Sequence, residues 1–157
     1  MKKLIVFFII FILVLIGLFT KVYLSAVEPV NQAEQRAIRL ADKEVNLNEV
    51  QDFHIYNGLE TVNIIEAIDD KGDEIIVWIP EKSKKVITEK AKNGLSESDA
   101  VQRLLEEKKP KKIVSVRLGM ENDIPLWEIY YRSENNLINY YYVHFKTGEW
   151  LKKIENL

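Results

Sequence analysis

The stretch Ile113-Val114-Ser115-Val116-Arg117-Leu118-Gly119-Met120 alternates, with Val114, Val116, Leu118 and Met120 on one face. A period of two with β-branched residues is the pattern of a strand that buries one side only. Reading outward from it sets the architecture. Downstream, residues 125–132 repeat the alternation and place Trp127, Ile129 and Tyr131 on one side. Ser133 to Asn136 turn the chain, and residues 137–145 form the last long strand. Thr147-Gly148 is a tight turn, after which residues 150–154 pair as a short ending. Upstream, Asn93-Gly94 turns the chain, and Ser96 with Asp99 three residues on makes an N-cap signature. Ala100, Val101, Leu104 and Leu105 are then expected to form the buried stripe of a helix that Pro110 stops.

The same programme runs earlier in the chain. Asn31 followed by Glu34 reads as a helix start, and Ala37, Leu40, Ala41 and Val45 make its apolar stripe up to about Asn46. Residues 50–57 alternate into the turn Asn57-Gly58, residues 61–68 return, and Asp69-Asp70-Lys71-Gly72-Asp73 turns again. Residues 74–79 are a third strand closed by Pro80, and a lysine-rich connection, residues 82–92, leads to the second half. The expected order is α-β-β-β twice, an α+β fold. Ala37-Ile38 matches Ala100-Val101, and Trp78-Ile79-Pro80 lies where Val143-His144-Phe145 lies later. Each half is near the lower limit of independent stability, so the two are expected to share an interface.

In front of both halves, residues 4–20 carry no charge and are rich in Ile, Leu, Val and Phe. At about 1.5 Å per helical residue they cover roughly 25 Å, close to a hydrocarbon core of ~30 Å. Lys21 can snorkel to the interface, and Pro29 is expected to end the membrane helix. Two readings compete, an uncleaved signal anchor and a removable signal peptide. Leu24-Ser25-Ala26 is a poor cleavage site because Leu24 is large, which favours the anchor over cleavage after Ala26. Without cysteine there is no lipid thioether and no disulfide. The pair Lys2-Lys3 places the N-terminus in the cytoplasm and the rest outside it.

After Val27 the chain carries 19 basic and all 24 acidic residues, a net −5. That argues against a nucleic-acid partner, which calls for a basic face. The sequence has no Gly-x-Ser-x-Gly, no cysteine nucleophile and no phosphate-cradling glycine loop, so no enzyme and no cofactor are expected. His54 and His144 each fall on a strand opposite the apolar alternation and are read as surface residues, with no metal. Asp69, Asp70, Asp73 and Glu74 lack the full EF-hand spacing, and a charged hairpin turn explains them equally well. The lysines at 108, 109, 111 and 112 flank Pro110 and read as a solvated loop, the alternative being contact with anionic lipid or wall polymer. The candidate partner-binding residues are Tyr130, Ile138, Tyr140, Tyr142 and His144, opposite the face assigned to the core. Tyrosine gives large contact area at low entropy cost and is enriched in interfaces. The competing assignment is that the other half-domain covers this face.

Pro125-Leu126-Trp127-Glu128-Ile129 followed by Tyr142-Val143-His144-Phe145-Lys146-Thr147-Gly148-Glu149 resembles the strand-strand-turn signature of PepSY domains, helix-plus-sheet units of cystatin-like appearance. The common form of that signature has Asp where His144 or Phe145 stands. The whole chain resembles the TseB-like family of Gram-positive bacteria, and Trp78-Ile79-Pro80 fits that family too. The resemblance implies a signal anchor at residues 1–27, a cystatin-like αβββ domain at 28–90 and a PepSY-like αβββ domain at 91–157. It also implies a non-enzymatic regulator of cell-wall elongation, located at the cell membrane, whose partner is a penicillin-binding protein. The alternative is a secreted or anchored peptidase inhibitor or glycan-binding module.

Overall fold

The computed structural model describes residues 2–157, without the side chains of residues 2 and 4–6. The lysine at position 2 and the first three residues of the apolar run therefore contribute backbone only. The chain divides into two compact units at Arg36/Ala37. The described residues of the first are all helical: α1 runs from Lys2 to Val45 and carries Pro29 inside it. This corrects the expected break at Pro29 and the expected helix start at Asn31. Pro29 removes one N–H from the ladder, a local loss of one hydrogen bond that the helix on either side outweighs.

The second unit, Ala37–Leu157, holds the end of α1 and two four-stranded antiparallel sheets. The first sheet has the order β1 (Leu47–Asn57), β2 (Thr61–Asp69), β3 (Glu74–Pro80), β4 (Ile87–Lys90). A 3-10 turn, Ala91–Asn93, leads to α2 (Glu97–Glu107). The second sheet follows as β5 (Lys112–Glu121), β6 (Ile124–Arg132), β7 (Ile138–His144), β8 (Trp150–Ile154). Strand β4 corrects the reading of residues 82–92 as a connection only. Its alternation is too short to show against five lysines, and its pairing with β3, Ile75 to Lys90 through Trp78 to Ile87, makes it a strand.

Local signals explain most boundaries. The Ser96 hydroxyl accepts from the Asp99 N–H, and the Asp99 carboxylate accepts from the Ser96 N–H, a complete capping box. Asn46, in the left-handed region at φ 42°, ends α1, and the Leu47 N–H donates to Asp42 Oδ1 at 3.0 Å. The acidic stretch after β2 is a turn: Asp69 Oδ1 accepts from the Lys71 and Asp73 N–H groups, and Gly72 takes φ 81°. Alternation in β5 is broken by an irregularity between Ile113 and Ser115. Ile113 therefore joins the core side and Val114 is exposed, which corrects Val114 as a core residue.

Packing explains why each sheet exists. Ala37 and Ala41 of α1 are buried against Ile65, Ala67, Ile75, Val77 and Ile79 on one face of the first sheet. Leu40 and Val45 pack at the margin, so the expected stripe is the buried one. The opposite face carries Tyr56, Val62, Ile64, Ile76 and Trp78, which share one core with Ala100, Leu104, Leu118, Trp127 and Phe145 of the second half. The interface expected from the small size of each half is this core. Trp78 and Phe145 meet edge to face at 5.2 Å, worth about 0.5–1.5 kcal/mol beyond area burial.

Candidate functional site

Tyr130, Tyr140 and Tyr142 form a row across β6 and β7. Tyr130 and Tyr140 are register partners with rings stacked at 5.2 Å, and Tyr140 and Tyr142 stack at 6.5 Å. Tyr130 and Tyr140 remain half-exposed, whereas Tyr142 is 5% exposed. Tyr142 is thus a floor residue, with the Lys152 ammonium 4.4 Å above its ring. Ile138 is half-buried at the far end, where its backbone pairs with Leu157 in both directions. His144 turns to its own loop: Nδ1 accepts from the Lys146 N–H at 3.1 Å and the Thr147 N–H at 3.2 Å. It therefore shapes the β7–β8 turn.

The β1–β2 turn of the first sheet lies along this row. Asn57, Gly58 and Leu59 border a shallow groove of about 330 Å³ with Tyr140, Tyr142, Lys152 and Ile154. Leu59 at the turn is 63% exposed, an apolar residue beside aromatic and cationic groups. Reading the halves separately missed Leu59, because only the packing of one sheet on the other brings it to the tyrosines.

Beneath the groove lies a polar network. Glu128 is buried and accepts from Arg117 Nε at 2.7 Å and Nη2 at 2.6 Å, while the Tyr56 hydroxyl donates to it at 3.3 Å. Lys152 donates to both oxygens of Glu121 at 2.8 and 2.7 Å. Burial first, then the Glu128 and Glu121 charges, push the Tyr56 phenol well above its ordinary value. The Tyr142 phenol is raised in the same way, so both are neutral donors at physiological pH.

A larger open cleft of about 810 Å³ lies between the first sheet and the α2 end of the second half. Its acidic lining includes Asp52, Glu66, Glu74, Glu97 and Asp99. Burial pushes the Glu66 carboxyl above the usual carboxylate range; His54 pulls it back, and Asp52 and Glu97 raise it further. His54 is 27% exposed in its side chain and faces this cleft, so it is a half-buried residue of the inter-sheet region.

Two family models match consecutive parts of the chain. Residues 36–80 match the cell wall elongation regulator TseB-like domain, and residues 94–154 match the peptidase propeptide and YPEB domain, PepSY. A protein of Bacillus subtilis (strain 168), "Probable cell wall elongation regulator TseB", is 30% identical over 157 residues, covering 98% of both chains. The chain belongs to the TseB-like family. A solved structure of another chain, "YpmB protein from Bacillus subtilis", has a TM-score of 0.73 at 32% identity and covers 76% of this chain and 94% of that one. For a TseB-like protein the N-terminal helix is a candidate single-pass membrane anchor. Its apolar side chains, among them Phe7 at 70% and Phe19 at 72%, are exposed, and an aqueous setting would leave them unburied.

Proposed function

We propose that this TseB-like protein is a non-enzymatic, single-pass membrane protein that binds a penicillin-binding protein outside the cytoplasm and so regulates cell-wall elongation. The observation that carries this reading is the near full-length relationship to the Bacillus subtilis protein of that name. The contact surface is the tyrosine row: Tyr130 and Tyr140 supply the half-exposed rings, Ile138 extends them, and Tyr142 and His144 hold the strand and turn beneath. Leu59 adds an apolar contact from the other sheet. Residues 28–90 and 91–157 act as two cystatin-like units behind an anchor at residues 1–27. Confinement by the anchor raises the effective concentration at membrane partners, so a modest interface suffices.

The test is crosslinking in living cells through a C-terminal tag, with a labelled β-lactam to reveal captured penicillin-binding proteins. The wild type should capture one, and the double variant Tyr130→Ala/Tyr140→Ala should reduce capture at least tenfold with its melting temperature little changed. Equal capture by that variant would place the contact elsewhere. A membrane-retained protein that captures no penicillin-binding protein would overturn the reading. The PepSY match carries "peptidase propeptide" in its description and supports a second reading, a peptidase inhibitor. Inhibition of an envelope peptidase by the purified protein, lost in the same variant, would favour it.

A further inference from the structure

We propose that Asp52, His54 and Glu66 bind a divalent transition cation of the zinc class, with one imidazole nitrogen and two carboxylates as ligands. Asp52 and His54 stand two apart on β1 and share a face, and Glu66 of β2 is the register partner of Asp52. One ligand atom from each lies within 4.8 Å of the others. His54 Nδ1 is 3.6 Å from Asp52 Oδ2, near the ~3.4 Å that separates ligands in a tetrahedral zinc shell. The arrangement needs little movement to close on an ion.

The second observation fixes the imidazole. His54 Nε2 lies 3.2 Å from the Leu118 carbonyl oxygen on β5. A carbonyl only accepts, so Nε2 carries a proton and Nδ1 is the ring nitrogen turned to the two carboxylates, the one a bound ion would take. A histidine that ligates a metal typically donates its other N–H to a backbone carbonyl or carboxylate in this way. The two carboxylates also lack a Lys or Arg partner. Among the described residues, neither Asp52 nor Glu66 pairs with Lys or Arg, and the cations lining the same cleft are engaged elsewhere, Arg117 by Glu128 and Lys92 by Asp73. Mixed imidazole and carboxylate donors favour zinc over magnesium or calcium, which take oxygen shells. Three protein ligands leave a fourth position open toward the cleft, available to water or to a side chain of a partner. Because Leu118 belongs to the second sheet, an ion here would also tie the β1–β2 hairpin to β5.

The experiment is calorimetric titration of the full chain in detergent with zinc chloride, and with magnesium chloride in parallel, on the wild type, Asp52→Asn and Glu66→Gln. Asp52 is 62% exposed in its side chain, so Asp52→Asn keeps the fold. The expected result is one zinc per chain, affinity at least tenfold weaker in each variant, and weaker binding of magnesium. Zinc should also raise the melting temperature of the wild type by more than that of either variant at the same concentration. Absence of stoichiometric zinc binding, or equal affinity in wild type and both variants, would overturn the site. Neither outcome depends on the penicillin-binding protein contact, so the two proposals fail separately.

Discussion

Asp73 shows how a single side chain in this protein does two jobs. Its carboxylate ends the β2–β3 turn and pairs with the ammonium groups of Lys90 and Lys92, which anchors the start of β3 to the end of β4 and the turn after it. Those hydrogen bonds, Lys90 first, lower its carboxyl from 3.8 to about 2. The unfolded chain takes up a proton near the ordinary value and the folded chain only near the lowered one. Its stabilisation is therefore complete above the ordinary value and lost as pH falls through the window between them. Asp99 and Glu155 shift in the same direction, through Ser96 and Lys108. The melting temperature should fall steeply below pH 4, and Asp73→Asn should flatten that limb, with wild type and variant converging near pH 2. Parallel curves from pH 6 to 2 would show that the pairing contributes nothing.

Among the elements, α2 depends most on its cap. It has eleven residues, short for a helix on its own, and places only Ala100 and Leu104 fully in the core, which corrects the expected stripe: Val101 is half-buried and Leu105 is exposed. The capping box at Ser96 and Asp99 satisfies first-turn N–H groups that the helix cannot. Ser96→Ala should cost about 1 kcal/mol, or roughly 2–4 °C in melting temperature, whereas Ser96→Asp should retain most of it. Equal losses in both variants would mean that the hydroxyl acts other than as an acceptor at the N-terminus. The cap was legible because it is a local signal four residues long. Strand β4 was not, because four residues with one apolar position become a strand only when β3 offers an edge. Pro29 was misread for the opposite reason: its local cost is real, and α1 absorbs it over 44 residues.

At the scale of the whole molecule, Tyr56 sets how the two sheets meet. It leaves β1, is fully buried in the shared core, and reaches Glu128 of β6. Gly119 makes room for it: a Cβ there would meet the Tyr56 ring at 2.7 Å and Leu126 Cδ1 at 2.9 Å. Gly119→Val should destabilise by about 1–3 kcal/mol through overpacking, read as a lower denaturant midpoint. In a Tyr56→Ala background the same substitution should cost less, since the ring is gone and the flexible Leu126 side chain can give way. Additive effects in the double variant would show that the strain falls elsewhere.

The amino-acid order by itself determined most of the elements, β4 and the run of α1 through Pro29 being the exceptions. Periods of two and near 3.6, Ser96 with Asp99, the uncharged run before Lys21 and the glycine and asparagine turns are short-range signals, carried by backbone geometry and side-chain polarity. They suffice for an apolar N-terminal helix, two antiparallel sheets and the tyrosine row on one face of the second. Only the tertiary structure decided what covers each face. It laid the first sheet against the second half, sank Tyr142 while leaving Tyr130 half-open, and brought Leu59 to the tyrosines. It also gave His54, which shares a hairpin face with Asp52 and Glu66, a carbonyl 64 residues away, a pairing no spacing along the chain encodes. The physical reason is that burial is decided by area removed from water between distant segments, whereas periodicity reports only which residues could share a side.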